Sequence, residues 1–313
     1  QKKIFMSEEY QILETLFTTE TYMAIRNSEE IISTAANFNS YDEFCSYNLQ
    51  NTHISTCQKE WSIPRLTVHC IDCSLTDSSC VCLECFLKNK HENHKYFIQP
   101  DVIGNCDCGD ISLMKRQGFC KDHQGLDEEE SHPEAYLNEN LRTTLTDYVF
   151  KAAFSALQTL ATANNRSFND IIRFISSFLR YGDGFRRLIA ISLTEKIDFK
   201  KLIRSVPSYS YEFNQSLQQL CGKLVNDFVF KNNFSNVIYE VLLDDILLKD
   251  FDALIGKRSN NNYSIWNSFW FHCFSAQQIQ YNIVHKKWEW VPFMIKFCEY
   301  IKLFFSFSSN GFI

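Results

Sequence analysis

Apolar residues recur at helical spacing toward both ends of the chain, whereas the middle lacks this pattern. Residues 1–50 include "EEYQILETLFTTETYMAI", in which apolar positions fall three and four residues apart. The same spacing returns from about Leu141 to the end. Residues 57–123 show little helical signal and several turn residues. The pattern predicts a mostly α fold, with a small irregular module embedded in an all-helical scaffold.

The stretch "SFNDIIRFISSFLRYGDGFRRLIAISL" gives the most detailed prediction in the second half of the chain. Ser167 can cap a helix, which Gly182 and Gly184 would end, and a second helix would start near Phe185. No strict repeat period is visible, so a regular solenoid stays an open alternative. The predicted apolar face of the first helix comprises Ile171, Ile172, Phe174, Ile175, Phe178 and Leu179.

Three other segments have distinct compositions. Residues 256–264, "GKRSNNNYS", predict a loop, and the aromatic run "WNSFWFHCF" after it is typical of a core. The apolar tail "FMIKFCEYIKLFFSF" contains three charged residues, which favours a buried amphipathic helix over a membrane span. The acidic run "QGLDEEESHPEAY" predicts a solvated linker over about residues 126–140.

Composition adds limits on the partners. The 313 residues are 45% hydrophobic and include 28 Phe, so a sizeable core can form. The net charge of −6 argues against nucleic acid as a partner, because nucleic-acid-binding proteins normally carry a basic surface. No secretory leader or membrane span is visible, so we expect a cytoplasmic or nuclear location and no membrane partner. We also expect the chain to be a fragment of a longer protein.

Cysteines are concentrated in the irregular module. Nine of the 13 lie between Cys57 and Cys120, interleaved with histidines. In a chain without a secretory signal, this density indicates metal binding and not disulfides. The four scattered cysteines are expected to be small buried hydrophobic residues: Cys45, Cys221, Cys273 and Cys298.

The Cys/His spacing predicts zinc sites. Two C-x-x-C pairs, an H-x-x-H pair, a C-x-C pair and a C-x-x-H pair follow one upstream cysteine, and thiolate and imidazole are the preferred zinc ligands. Three tetrahedral zinc ions need twelve ligands, so the eleven candidates suffice if one thiolate bridges two ions. Cys80 is not spaced to form a C-x-x-C pair with Cys82, so we expect it not to bind zinc. We expect His53 and His69, which flank the block, not to bind zinc either. The candidates are Cys57, Cys70, Cys73, Cys82, Cys85, His91, His94, Cys106, Cys108, Cys120 and His123.

A catalytic zinc site is disfavoured. The motif "HENH" places His91 and His94 three residues apart, whereas the metalloprotease motif needs four. The predicted ligand sets are also filled by protein side chains, which leaves no position for a reactive water. Closed sites indicate structural zinc, and a zinc hydrolase remains the least favoured class.

The complete block resembles the UBR box, the zinc-stabilised domain of N-recognins. The resemblance covers Cys57 to His123 and rests on "CQKEWSIPRLTVHCIDC", "CVCLECFLKNKHENHKYF", "GNCDCGD" and "GFCKDH". "FISSFLRYGDGFRRLIAISL" and "LVNDFVFKNNFSNVIYEVLL" are similar to the helical scaffold that follows the box in the large N-recognins. The resemblance implies one zinc held by Cys70, Cys73, His91 and His94. It implies a second and third zinc bridged by Cys85 and held also by Cys57, Cys82, Cys106, Cys108, Cys120 and His123.

The resemblance also implies a function. N-recognins are E3 ubiquitin ligases that bind destabilising N-terminal residues, here Arg, Lys or His, and the ligase chemistry is of the RING type. No second Cys/His cluster follows His123, so we expect this chain alone not to transfer ubiquitin and the conjugating enzyme to bind outside it. Implied contacts are Asp107 and the Asn105 carbonyl for the α-ammonium, Asp77 and Asp110 for the basic side chain, and Trp61 and Val81 as apolar walls.

This chain departs from the family pattern in three places. Met114 stands where the family usually has a Trp, and the segment between His94 and Cys106 is short and lacks the usual glycine run. The segment between Cys73 and Cys82 is shifted by one residue. Thr76 or Asp77 could therefore take the acidic position, and "DSSC" favours Asp77.

Two alternatives stay open. Asp107 and Asp110 could be turn formers that accept backbone N–H groups. The whole block could also be a zinc-structured interaction module with no role in degron binding or ligation. Whichever function holds, we expect an N-terminal helical segment at residues 1–50, a zinc finger at 55–125, an acidic linker at 126–140 and a helical scaffold domain at 141–313.

Overall fold

Along the chain, helices precede and follow a cysteine-rich segment that contains a small sheet. The sequence pattern predicts the helices on either side of this segment. A computed structural model describes residues 2–57, 59–89, 91–126, 132–163, 166–205 and 210–243. The fold is mostly α, with a small finger that contains the Cys/His clusters. The predicted loop, aromatic core segment and apolar tail after residue 243 lie outside the described residues. No helix among those described is both long and apolar enough to cross a membrane.

The first 50 residues form three helices, which confirms the helical prediction there. These are α1 (Lys2–Thr19), α2 (Thr21–Ala35) and α3 (Tyr41–Gln50). Ser40 caps α3, because its side chain accepts a hydrogen bond of 3.2 Å from the Glu43 amide.

The finger is built on a three-stranded antiparallel sheet that the sequence pattern did not predict. Its strands are β1 (Glu60–Cys70), β2 (Val81–Cys82) and β3 (Tyr96–Asn105), in the order β2-β1-β3. A short helix, α4 (Leu83–Leu87), follows β2. The register of β1 and β3 shifts between Trp61 and Thr67, so the alternation of inward and outward residues is broken.

The second half is helical up to the last described residue. The face predicted from "SFNDIIRFISSFLRY" is buried throughout, and Gly182 ends that segment as predicted. Gly184, which was also predicted to break the helix, lies inside the next one, which begins at Asp183. Ser167 precedes the helix but makes no capping bond. The elements are α5 (Glu139–Thr143), a π-helical turn (Thr144–Val149), α6 (Phe150–Thr162), α7 (Phe168–Ser177), a 3-10 turn (Phe178–Tyr181), α8 (Asp183–Glu195), α9 (Phe199–Arg204), α10 (Tyr211–Leu224) and α11 (Phe228–Leu243).

One aromatic core joins the helices before and after the finger. The Phe44 ring of α3 contacts Phe185 of α8 edge to face, with 6.0 Å between centroids. It also contacts Tyr181 at 5.8 Å and Phe178 at 6.5 Å. Aromatic pairs of this kind contribute about 1 kcal/mol each beyond the area they bury. The finger is therefore an insertion between two parts of a single helical body.

The described end of the acidic run packs on this body. A 3-10 turn (Pro133–Tyr136) contacts α8, and a Cβ at Gly184 would lie 2.7 Å from the Tyr136 ring. Glu134 is buried, whereas His132 is exposed. The segment predicted as a solvated linker is thus partly a packing element.

Candidate metal centre and acidic site

The structure gathers the eleven predicted zinc ligands into three groups. Within each group the ligand atoms all lie within 4.8 Å of one another. Cys85 belongs to two groups, as expected for a bridging thiolate. The groups are Cys57, Cys82, Cys85 and Cys106; Cys70, Cys73, His91 and His94; and Cys85, Cys108, Cys120 and His123.

The separations of the ligand atoms fit tetrahedral zinc. With Zn–S and Zn–N bonds of about 2.3 and 2.0 Å, tetrahedral geometry puts sulfur and nitrogen about 3.5 Å apart. The His94 Nδ1 atom lies 3.1 Å from the Cys73 sulfur and 3.7 Å from the Cys70 sulfur. In another group, His123 Nδ1 lies 3.4 Å from the sulfur of Cys85 and 3.1 Å from that of Cys120. The residues present therefore fit zinc.

Backbone amides point at three of the predicted thiolates. The amides of Cys82 and Cys120 lie 3.2 Å from the sulfurs of Cys106 and Cys108 respectively. The Cys85 amide lies 3.4 Å from the sulfur of Cys82, which caps α4. N–H donors favour the charged form of sulfur, which is the form that binds zinc.

The three residues predicted not to bind zinc make other contacts. The Cys80 thiol lies 3.6 Å from the Asn105 carbonyl oxygen, and burial raises the pKa of this thiol well above its usual range. His69 Nδ1 lies 2.7 Å from the Ser79 carbonyl oxygen. The His53 carbonyl accepts a bond of 3.0 Å from the Asp183 amide, so His53 helps to attach the finger to α8.

Asp107 lies inside the finger, between two ligand cysteines. Its side chain accepts a hydrogen bond of 2.7 Å from the Cys80 amide, and the residue is 2% exposed. Burial raises the pKa of Asp107 well above its usual range, while the Cys80 amide acts in the opposite direction. The following turn is closed by a bond of 3.0 Å from the Asp110 amide to the Asp107 carbonyl. Gly109 has a φ of +93° there, where a Cβ would overlap the Ser55 carbonyl.

Asp110 already holds a cation, which the sequence did not predict. One carboxylate oxygen accepts a bond of 2.9 Å from the Ser112 amide, and the other is paired with the Lys231 ammonium. Lys231 is on α11, 121 residues away, and it also donates to the Ser112 hydroxyl at 2.9 Å. The side chains of Asp110 and Lys231 are 6% and 2% exposed. The helical scaffold therefore supplies a primary ammonium to the predicted substrate-binding carboxylate.

Among the other predicted substrate contacts whose side chains the structure describes, Asn105 and Val81 are buried and Asp77 is exposed. Asn105 is buried, and its side-chain amide donates to the Gly222 carbonyl at 2.6 Å. Val81 is 1% exposed and packs in the finger core. Asp77 is exposed on a turn. Trp61 pairs with Gly104 in the sheet, but its side chain lies outside the described part of the structure.

Further charged pairs surround the interface between finger and scaffold. Arg187 of α8 donates to Asp227 at 2.8 Å, and both are buried. Asp183 lies 3.3 Å from Arg186 and accepts a bond of 2.5 Å from the Ser55 amide. Because each buried charge has an opposite partner, the interface avoids the large cost of an isolated buried ion.

Asn226 links the scaffold directly to the metal-binding backbone. Its side-chain amide donates to the carbonyls of Cys57 at 2.8 Å and Cys106 at 3.1 Å. These carbonyls belong to two members of one ligand group. The position of the scaffold and the geometry of that group are therefore coupled.

Comparisons with known proteins agree with this geometry. Residues 56–123 match the zinc finger in N-recognin, the UBR box. The chain is 33% identical over 85 residues to the E3 ubiquitin-protein ligase UBR3 of Homo sapiens, covering 27% of this chain and 4% of that protein. It is 35% identical over 69 residues to UBR1 of Mus musculus, covering 22% and 4%.

One relative also aligns with the helices. The E3 ubiquitin-protein ligase PRT6 of Arabidopsis thaliana is 25% identical over 229 residues, covering 64% of this chain and 11% of that protein. The matched segments are thus a small part of each of these three relatives. With its three Cys/His groups in place, the segment 56–123 is a UBR box, the zinc finger found in N-recognins.

Proposed function

We propose that this chain is the substrate-recognition part of an E3 ubiquitin-protein ligase in the ubiquitin-dependent N-degron pathway. In this proposal the UBR box binds proteins that begin with Arg, Lys or His. Support comes from the family of the finger and from its relatives, which are named E3 ubiquitin-protein ligases.

The observation that carries the proposal is the ammonium of Lys231 on Asp110. The Lys231 ammonium is a cation like the basic first side chain that the resemblance assigns to Asp110, so the turn 107–110 has the chemistry that a basic N-terminal residue needs. Cys106 and Cys108 fix this turn when they bind zinc, which holds Asp107 and Asp110 at a set separation.

Zinc in this proposal has a structural and an electrostatic role. Three Zn²⁺ ions would be held by the three ligand groups, with Cys85 shared by two of them. The eight cysteines in these groups would bind as thiolates, which exceed the charge of three zinc ions by two negative charges. This excess favours a cationic ligand next to the turn.

Transfer of ubiquitin is assigned to a region outside this chain. The sequence after His123 has only scattered Cys and His residues, without the spaced pairs that characterise the finger. In this proposal the ubiquitin-conjugating enzyme binds such a module elsewhere, and this chain contributes recognition of the substrate.

A titration with labelled peptides tests the proposal. An Arg-starting peptide is expected to bind with roughly micromolar affinity, about −8 kcal/mol. The N-acetylated copy lacks the α-ammonium and should bind at least about tenfold more weakly, since a charge-assisted hydrogen bond contributes about 1.5–3 kcal/mol. Equal affinity for the two peptides would contradict N-terminal recognition.

A second candidate function is a zinc-structured interaction module without a role in degron binding. The contacts of Asp107 with the Cys80 amide and of Asp110 with Lys231 favour it, because both carboxylates then serve the internal structure. The same titration separates the candidates, since this module would not distinguish a free N-terminus from an acetylated one.

A further inference from the structure

Lys231 is an unusual residue to find inside a protein. Lysine is almost never fully buried unless it is paired, yet the Lys231 side chain is 2% exposed. Its ammonium contacts the Asp110 carboxylate and the Ser112 hydroxyl, and both partners belong to the finger. The Lys231 ammonium therefore joins α11 of the scaffold to residues 110–112 of the finger.

We propose that Lys231 is an internal competitor of the basic first side chain of a peptide, so that a peptide binds only after α11 releases Asp110. This inference rests on the proposed function and describes how the same site is regulated. In the closed state, Lys231 provides the cation that the first side chain of a substrate would provide in the open state.

The interface also covers Asn105, another predicted contact of the peptide. The Asn105 side chain donates to the Gly222 carbonyl near the end of α10. Asn105 and Asp110 are 9% and 6% exposed and contact α10 and α11 respectively, so a peptide cannot reach them while these helices are in place. Peptide binding and docking of the scaffold are therefore mutually exclusive at this turn.

Competition of this kind lowers the apparent affinity by a predictable factor. The apparent dissociation constant is the intrinsic constant divided by the fraction of molecules in the open state. A minor state is commonly populated at about 0.1–10%. An open fraction of about 10% would therefore cost about tenfold in affinity, and a smaller fraction would cost more.

The test uses the full chain with Lys231→Met, which keeps a long apolar side chain and removes the ammonium. Lys223→Met is the matched control, because Lys223 is exposed near the end of α10. We expect K231M to bind the Arg-starting peptide at least about tenfold more tightly than the unmodified chain, by the population argument above. K223M should bind like the unmodified chain, and none of the three should gain affinity for the acetylated peptide.

The outcomes separate the two proposals. Equal affinity of K231M and the unmodified chain for the free peptide, with the acetylated peptide rejected by both, overturns the competitor and leaves N-terminal recognition standing. Failure of every variant to distinguish the two peptides overturns N-terminal recognition and the competitor with it. Tighter binding by both K231M and K223M would reflect the loss of any lysine and would also overturn the competitor.

A measurement on the unmodified chain covers the case in which K231M does not fold. Hydrogen exchange of the backbone amides in α11 is followed with and without saturating Arg-starting peptide. We expect faster exchange around Lys231 when the peptide binds, because α11 loses its contact with the finger. Unchanged exchange at saturation would overturn the competitor.

Discussion

Gly182 brings two segments that are far apart in sequence into backbone contact. Its φ is +104° and its ψ is −168°, a combination that is essentially restricted to glycine. A Cβ at this position would overlap the His53 carbonyl, which accepts a bond from the next residue, Asp183. The residue before α8 thus fixes the entry to the finger.

Gly182→Ala should therefore destabilise the chain by about 3 kcal/mol, from unfavourable backbone conformation and overlap together. Gly104→Ala is the comparison, because Gly104 also has a positive φ, +150°, but has no atom within 4 Å of the added methyl. That change should cost about 1–2 kcal/mol, from the backbone alone. Chemical denaturation measures both, and an equal loss would show that the His53 contact is unimportant.

The peptide's own N-terminus sets a pH dependence at the residue scale. A free α-amine has a pKa of about 7.7–8.0, and only its protonated form can pair with a carboxylate. Binding of the Arg-starting peptide should be strong at pH 7 and should weaken as the pH rises through about 8. Titrations from neutral pH upward, with zinc content checked at each pH, measure this. A constant affinity would argue against a role for the α-ammonium.

At the scale of elements, the finger depends on metal more than on strands. Its buried cluster consists mostly of cysteines, with Val68, Val81, Met114 and Phe119 as the other members. Little apolar surface is available to hold the three strands together, so we expect zinc binding to supply much of the folding energy. Met114, which replaces the usual Trp of the family, is buried and pairs with Ser74.

The sharing of Cys85 can be tested by counting metal ions. The unmodified chain should contain three zinc ions, measured by elemental analysis against protein concentration. Cys85→Ser should lose more zinc than Cys73→Ser, because Cys85 is in two ligand groups and Cys73 is in one. Cys80→Ser, outside all three groups, should keep three. Equal losses from C85S and C73S would contradict a shared ligand.

The elements also show how far the sequence could predict the structure. Zinc-ligand pairs are close in sequence, so their spacing predicted all eleven ligands, and helical periodicity predicted α1, α2, α3 and α7. The sheet was missed because the bulged register of β1 disrupts alternation. The pairing of Lys231 with Asp110 spans 121 residues and follows from tertiary packing, which no local pattern encodes. Asp77, by contrast, lies exposed on a turn, and its role remains a prediction.

At the scale of the whole molecule, the helical body and the finger have separate cores. The helices share a large apolar cluster that includes Phe17, Phe44, Phe178 and Phe185. The finger has its own small cluster. The contacts between them include the ion pair of Lys231 with Asp110 and the hydrogen bonds of Asn226 and Gly222 with the finger.

Removal of zinc should therefore affect the two parts differently. After chelation we expect the finger to unfold and the helical body to keep most of its far-ultraviolet circular dichroism, because its core contains no predicted zinc ligand. Hydrogen exchange should become fast in residues 57–123 while α6 and α8 stay protected. Loss of all helical signal on chelation would show that the body depends on the finger.

The tether between Lys231 and Asp110 has a consequence for substrate selection. A ligand on the same chain has an effective concentration on the order of millimolar, and dilution does not reduce it. A free peptide would therefore bind more weakly than the open site alone would allow. Under the proposed competition, a substrate protein would be bound more tightly if a second part of it also bound the ligase, because its N-terminus would then have a high local concentration as well.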